Sequence, residues 1–329
     1  MKQYINITDF HIDKATVLTI GKFDGEHIGH RKLLAVMKGI AEEKGLKTAV
    51  FTFNTAPSEI IGGAESKEAG LNPSQITTND ERNKMLNDSG IDYLIEYPFN
   101  KEVARIKAED FIKDILIKKM NMKAVVAGPD CAFGHNKEGN AELLTKVAEE
   151  LPKELSYEVI IIDKEKDEYD RDISSTLIRE ELDKGNIENA NKLLGTCYSI
   201  HGKVLHGNMI GGKLLGFPTA NIIPQKRKHL PKFGVYASKV RLVNSGEEYF
   251  GLTNVGINPT VDNDRANHST RVETFIYDFN KDIYGEEIEI SFIKFIRPEK
   301  KFSSLEELKK QIAYDKETVK SIFRQDFSG

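Results

Sequence analysis

Three groups of residues in this 329-residue chain combine polar side chains and glycines at spacings that suit phosphate chemistry. The first is Gly21-Lys22-Phe23-Asp24-Gly25-Glu26-His27-Ile28-Gly29-His30. Histidines three apart share one face of a first helical turn, and their N–H groups would join the positive helix end around a phosphate. Gly21 and Gly25 permit a tight turn and close backbone approach. A bare His-x-x-His is more often a pair of surface histidines. Here the full string follows a β-rich run and enters a helical pattern, which favours the phosphate site. Zinc is disfavoured, because zinc hydrolase helices space their histidines four apart, with Glu after the first.

The second group, Ile173-Ser174-Ser175-Thr176-Leu177-Ile178-Arg179, stands where another helix begins. Hydroxyls there commonly serve only as caps, but an Arg one turn in can return a planar fork to a bound phosphate. The third is Gly211-Gly212-Lys213-Leu214-Leu215-Gly216-Phe217-Pro218-Thr219-Ala220-Asn221. Its glycines expose N–H groups for an anion nest and Lys213 adds charge, although a glycine-rich hairpin is the plainer reading and the spacing is not that of a Walker A loop. Thr219 and Asn221, two apart, point the same way on an extended segment and can share a hard cation. Glu273 is a lone carboxylate in the apolar run Val272 to Phe279, a pattern that usually marks an exposed strand residue. Asp130, in a Gly-Pro-Asp loop, either contacts substrate or closes an Asx-turn.

The elements that must position these residues divide the chain. Strand-like runs at Thr16 to Ile20, Thr48 to Phe53, Lys123 to Ala127 and Tyr157 to Asp163 alternate with helical periodicity at His30 to Lys44, Asn79 to Ser89 and Ala108 to Met120. That pattern predicts a doubly wound parallel α/β sheet. Thr55 to Ser74 has the composition of a long loop that covers a site. After Ile173 come a helix to Lys184 and a short one ending near Gly195. Five β-rich runs then follow, from Tyr198 to Ile296, separated by Gly, Asn, Pro and Asp clusters. They predict an antiparallel β-barrel or sandwich, of which the barrel is the expectation taken forward. A terminal helix is expected from Ser304, with a capping box at Ser304 to Glu307 and with Leu305, Leu308 and Ile312 against the barrel. The expected domains are 1–185 and 198–329, with a linker helix at 186–197.

Charged residues at 30% and hydrophobic ones at 39% describe a chain that folds in water, and no apolar run approaches a membrane span. The first ten residues lack a secretory pattern, so the expected location is cytoplasmic. Two cysteines, Cys131 and Cys197, imply free thiols. A net charge of −4 argues against nucleic acid and leaves small molecules as partners.

The first two groups together resemble the signatures of the HxGH nucleotidyltransferases, and the first half resembles the FMN adenylyltransferase domain of bifunctional bacterial riboflavin kinase/FAD synthetases. The third group, Glu273, Gly234-Val235-Tyr236-Ala237 and Asn254-Val255-Gly256-Ile257-Asn258-Pro259-Thr260 resemble the riboflavin kinase domain of the same enzymes. The resemblance implies riboflavin phosphorylation to FMN by ATP, then FMN adenylylation to FAD with release of pyrophosphate. It makes His27 and His30 contacts of the ATP phosphates, with Gly21, Phe23, Asp24, Gly25, Gly29, Asp130, Ser174, Ser175, Thr176 and Arg179 around nucleotide and substrate. In the second half it makes Thr219 and Asn221 ligands of the Mg²⁺ carried by ATP and Glu273 the base for the riboflavin hydroxyl. Gly212, Lys213, Gly216 and Pro218 would then cradle ATP. Cys131 and Ala132 stand where members carry an aromatic and often a basic residue, Lys213 replaces the usual Arg, and Phe275 a common His. A kinase-only enzyme with a degenerate first site, or a flavin- or nucleotide-binding regulatory protein, are the alternatives.

Overall fold

Short runs rich in Val, Ile and Phe need cover on both faces, and the first of two units, Met1–Ser175, supplies it. The computed structural model describes residues 1–54, 74–205, 219–257 and 270–324. In this unit β1 (Lys2–Ile5), β2 (Thr16–Ile20), β3 (Lys47–Phe53), β4 (Tyr93–Tyr97), β5 (Met122–Ala127) and β6 (Glu158–Ile161) form one parallel sheet, in the order β1-β4-β3-β2-β5-β6. Successive side chains alternate between two cores, as a pleated strand requires. Val17, Val50, Leu94 and Val126 pack with Leu33, Leu34 and Met37 of α1 (Ile28–Lys44) and Leu86 of α2 (Asn79–Asp88). Leu18, Phe51, Ile95 and Val125 pack on the other face with Phe111, Ile112, Ile115 and Leu116, and with Leu144 and Val147 of α3 (Ala141–Glu150). The doubly wound expectation is met.

Two elements differ from the sequence reading. The segment expected as one helix from Ala108 is an α-turn, Ala108–Asp110, running into a π-helix, Phe111–Ile117, which still buries the same apolar face. Strand β4 escapes a hydrophobic reading because Glu96 interrupts it. The fold tolerates that carboxylate because Arg82 of α2 meets it at 2.7 Å, with both side chains buried. The predicted covering loop falls at 55–73, outside the described residues.

The second unit, Thr176–Gly329, takes in most of α4 (Ser175–Lys184) and all of α5 (Ile187–Leu194). Strands β7 (Ser199–Lys203), β8 (Ala220–Ile222), β9 (Gly234–Leu242), β10 (Glu248–Ile257), β11 (Thr270–Ile276) and β12 (Glu287–Pro298) pair antiparallel in the order β7-β12-β9-β10-β11-β8. A bridge from Leu205, just past β7, to Asn221 of β8 brings the two edges together into a nearly closed barrel. Two bulges let β12 bend around it. Inside, Ser238, Thr253 and Thr274 join their hydroxyls across three strands at 2.7 and 2.9 Å, so fully buried polar groups are satisfied. The terminal helix α6 (Leu305–Phe323) is present, but Leu305 is exposed. Leu308 and Ile312 are half-buried, and further along the same face Val319 and Phe323 seat the helix on Val235, Ala237, Leu252 and Tyr277. Arg297 of β12 grips the buried Asp315 at 2.7 and 2.9 Å and so sets which face turns inward. The capping is also shifted: Ser304 accepts from the Glu307 N–H, while the Glu307 carboxylate reaches back to Ser303.

Candidate functional site

Strand β2 lies between β3 and β5, where the winding of the sheet reverses, and open α/β sheets receive ligands beyond that point. The first glycine-bearing group leaves β2 there. Phe23 and Gly25 adopt left-handed φ values of 50° and 68°. For Phe23 the strain is on the order of 1–3 kcal/mol, offset by a ring that is 1% exposed. A Cβ on Gly25 would lie 2.9 Å from Ile76 Cγ2 as well as in a strained conformation. The N–H groups of both glycines are engaged within the protein: Gly21 donates to the Phe51 carbonyl and Gly25 to Thr77 Oγ1.

His27 caps α1, its Nδ1 accepting the His30 N–H at 3.4 Å. Gly29 leaves space for that ring, because a Cβ there would stand 3.1 Å from Nδ1. The two imidazoles stack with centroids 3.8 Å apart, and His30 Nδ1 meets the Gly25 carbonyl at 3.2 Å. These partners assign the tautomers. His27 holds its proton on Nε2 and can donate, while His30 holds its proton on Nδ1 and presents Nε2 as an acceptor. Burial, with repulsion from His30, pushes His27 down to about 3. Burial also lowers His30, against the Gly25 carbonyl and the Asp24 and Asp130 carboxylates. The pair is therefore neutral near pH 7, and an arriving phosphate would draw protons toward it.

The first two sequence groups meet at the turn after β2. Ser175 Oγ donates to the Asp24 carbonyl at 2.7 Å. Ser174 is half-buried; Thr176, exposed, and Arg179, half-buried, continue α4 within the second unit. Asp130 is exposed and pairs at 3.2 Å with Lys164, which also holds Asp172 at 3.2 Å. Its charge reaches His30, so it belongs to the same electrostatic neighbourhood.

In the barrel, register does the assembling. Asn221 of β8 stands directly opposite Glu273 of β11, and Asn254 of β10 stands opposite Glu273 on its other side. Cross-strand partners share a face, so the three form one row. Asn221 Nδ2 donates to the Thr219 carbonyl and hydroxyl at 3.1 and 3.2 Å. Its Oδ1 is buried with no partner among the described residues. A buried amide oxygen left open beside a threonine hydroxyl suits a hard cation. Burial raises the Glu273 carboxyl, with Arg271 opposing, a direction that suits a general base. Gly212, Lys213, Gly216 and Pro218 lie outside the described residues. Sequence reasoning passed over Thr77, Lys164 and Asn254 as site neighbours. Only for Asn254 was a signal available, since the quoted Asn-Val-Gly-Ile string holds it.

Known proteins match along most of the chain. The family model described as FAD synthetase matches residues 9–177, and that described as riboflavin kinase matches residues 194–323. Proteins named bifunctional riboflavin kinase/FMN adenylyltransferase are similar to it across both of these regions. The Listeria monocytogenes protein is 36% identical over 96% of this chain and 95% of its own length. The Bacillus subtilis protein is 37% identical over 92% and 90%, and that of Escherichia coli K12 is 35% identical over 93% and 92%. A crystal structure from Streptococcus pneumoniae, described as a macrolide-efflux protein, superposes with a TM-score of 0.81 at 33% identity, covering 97% of this chain and 98% of that one. In this chain no helix among the described residues is long and apolar enough to cross a membrane.

Proposed function

The chain belongs to the bifunctional riboflavin kinase/FMN adenylyltransferase family, and from that premise we propose how its residues divide the work. The protein builds flavin cofactors, phosphorylating riboflavin to FMN and adenylylating FMN to FAD. Family membership across both halves favours this over the kinase-only and regulatory alternatives. The observation that carries the division is that each unit gathers its own chemistry: the stacked His27–His30 pair at the switch point of the sheet, and the Asn221–Glu273 row in the barrel. The functional domains run 1–185 and 198–329, joined by 186–197, and the enzyme works in the cytoplasm.

In the barrel, the Glu273 carboxylate takes the proton of the riboflavin 5′-hydroxyl as that oxygen bonds to the γ-phosphorus of ATP and the bond to ADP breaks. Burial raises the basicity of Glu273 for this purpose. Thr219 and Asn221 would hold the Mg²⁺ that accompanies ATP, which when bound neutralises phosphate charge; Gly212, Lys213, Gly216 and Pro218 hold the nucleotide. In the sheet unit, an FMN phosphate oxygen attacks the α-phosphorus of ATP and pyrophosphate leaves. His27 donates from Nε2, and His30, taking up a proton from solvent as the phosphates arrive, donates from its own Nε2 as charge builds on them. Gly21, Phe23, Asp24, Gly25 and Gly29 shape the turn that carries them, and Asp130, Ser174, Ser175, Thr176 and Arg179 complete the contacts.

The test is to incubate the protein with riboflavin, MgATP and pyrophosphatase and to resolve riboflavin, FMN and FAD over time. Glu273→Gln should block FMN formation while supplied FMN still becomes FAD, and His30→Ala should do the reverse. Equal loss of both steps in either variant contradicts the division.

A further inference from the structure

The peptide between Asp24 and Gly25 is held at both of its polar atoms by hydroxyls from distant parts of the chain. Its carbonyl accepts from Ser175 Oγ at 2.7 Å, and its N–H donates to Thr77 Oγ1 at 2.8 Å. Thr77 has two further bonds to the same turn: its backbone N–H donates to Asp24 Oδ1 at 3.1 Å, and its hydroxyl lies 3.4 Å from the Phe23 carbonyl. This is the turn whose left-handed Phe23 and Gly25 depart from ordinary backbone, so it relies on its surroundings to keep its shape. The next carbonyl along, that of Gly25, is the one that orients the His30 ring.

Thr77 is itself rigidly mounted. It precedes Thr78, the N-cap of α2, where Thr78 and Glu81 complete a reciprocal capping box. One turn later Arg82 is locked to Glu96 inside the fold. At the far end of α2, Ser89 Oγ reaches the buried Glu26 carboxylate at 3.4 Å. Helix α2 thus braces the phosphate turn from both ends, and Thr77 is its closest point of attachment.

We propose that Thr77 is a positioning residue for adenylyl transfer: its hydroxyl, working against that of Ser175, fixes the Asp24–Gly25 peptide and through Gly25 the orientation of His30. The proposal rests on the assignment of this turn to the adenylyltransferase step. Thr77 touches no substrate, and its effect is on the alignment of groups that do, where small displacements carry large rate effects.

The experiment compares Thr77→Val, which keeps the shape and backbone but removes the hydroxyl, with Thr77→Ser, which restores it. Each is assayed for FMN to FAD and, on the same preparation, riboflavin to FMN. Thr77→Val should lower kcat for FAD formation by about 10- to 100-fold. Thr77→Ser should stay within about threefold of the wild type, and the kinase step should be unchanged in both. In the Ser175→Ala background, Thr77→Val should have a smaller effect than in the wild type, because both hydroxyls hold one peptide. Full adenylylation by Thr77→Val, or a Thr77→Ser variant as slow as Thr77→Val, overturns the proposal while leaving the site assignment intact. Wild-type protein that makes no FAD from supplied FMN overturns both. Should Thr77→Val fail to fold, hydrogen exchange in the wild type decides: the Gly25 amide should be strongly protected, and free exchange there overturns the proposal.

Discussion

Replacing His27 by Asn keeps a capping oxygen at the start of α1 but removes a titrating ring. In the folded unit His27 is 9% exposed and held down to about 3, whereas in the unfolded chain it titrates near 6.5. Between those values the unfolded chain binds a proton that the folded unit refuses, so stability falls as the pH drops through about 6.5 toward 3. At pH 5 the unfolded chain is favoured over a span of about 1.5 pH units, roughly 2 kcal/mol at about 1.36 kcal/mol per unit. At pH 7.5 the effect is close to zero. Between pH 7.5 and 5.0 the His27→Asn variant should therefore lose about 2 kcal/mol less stability than the wild type. Urea unfolding of both proteins by circular dichroism at the two pH values measures this difference. Riboflavin phosphorylation through the same urea series reports when the second unit melts. An identical pH dependence in the two proteins would refute burial as the force acting on His27.

Four further outcomes follow from named contacts. Gly25→Ala places a Cβ on a residue at φ 68° and 2.9 Å from Ile76; FAD formation should fall about tenfold or more while the kinase step is unaffected, and normal FAD formation would contradict the tight turn. Glu96→Gln leaves the Arg82 guanidinium, 4% exposed, without its counter-charge; urea unfolding should show a loss of about 3–5 kcal/mol, and a loss under about 1 kcal/mol would mean that the pair is not sealed from water. Asn221→Ala removes the open buried oxygen at the Glu273 row; the Mg²⁺ concentration for half-maximal riboflavin phosphorylation should rise, and an unchanged titration would exclude Asn221 as a ligand. Lys213→Arg restores a bidentate fork for phosphate and should lower the kinase KM for ATP; equal values would contradict a weakening by Lys.

Much of the fold is legible locally. The runs at Thr16 to Ile20 and Thr48 to Phe53 read as buried strands because β-branched and aromatic residues lie unbroken there, and both strands form with at most one residue's difference. Where a charge interrupts the run, as Glu96 does in β4, the reading fails, because the partner that makes its burial tolerable, Arg82, lies on another element. The terminal helix shows the same limit. Its apolar stripe of Leu305, Leu308 and Ile312 runs on at helical spacing into Asp315, Val319 and Phe323, and the Arg297–Asp315 pair and the Val319–Phe323 contact decide that the later end of that face is the buried one.

For the chemistry, tight turns, paired histidines and same-facing polar residues are properties of neighbours along the chain, so the sequence offered Gly21 to His30, Thr219 and Asn221 as candidates, whereas Glu273 stood out through the family resemblance. Tertiary structure alone decided which of them meet. Ser175 reaches Asp24 across 151 positions, and the register of β8 and β11 sets Asn221 against Glu273. It also decided the state in which the residues stand, since the neutral histidines of the turn and the raised Glu273 carboxyl come from burial. Residue type names the groups capable of chemistry, whereas proton affinity and alignment arise from the dielectric and the partners that only the folded chain brings around them.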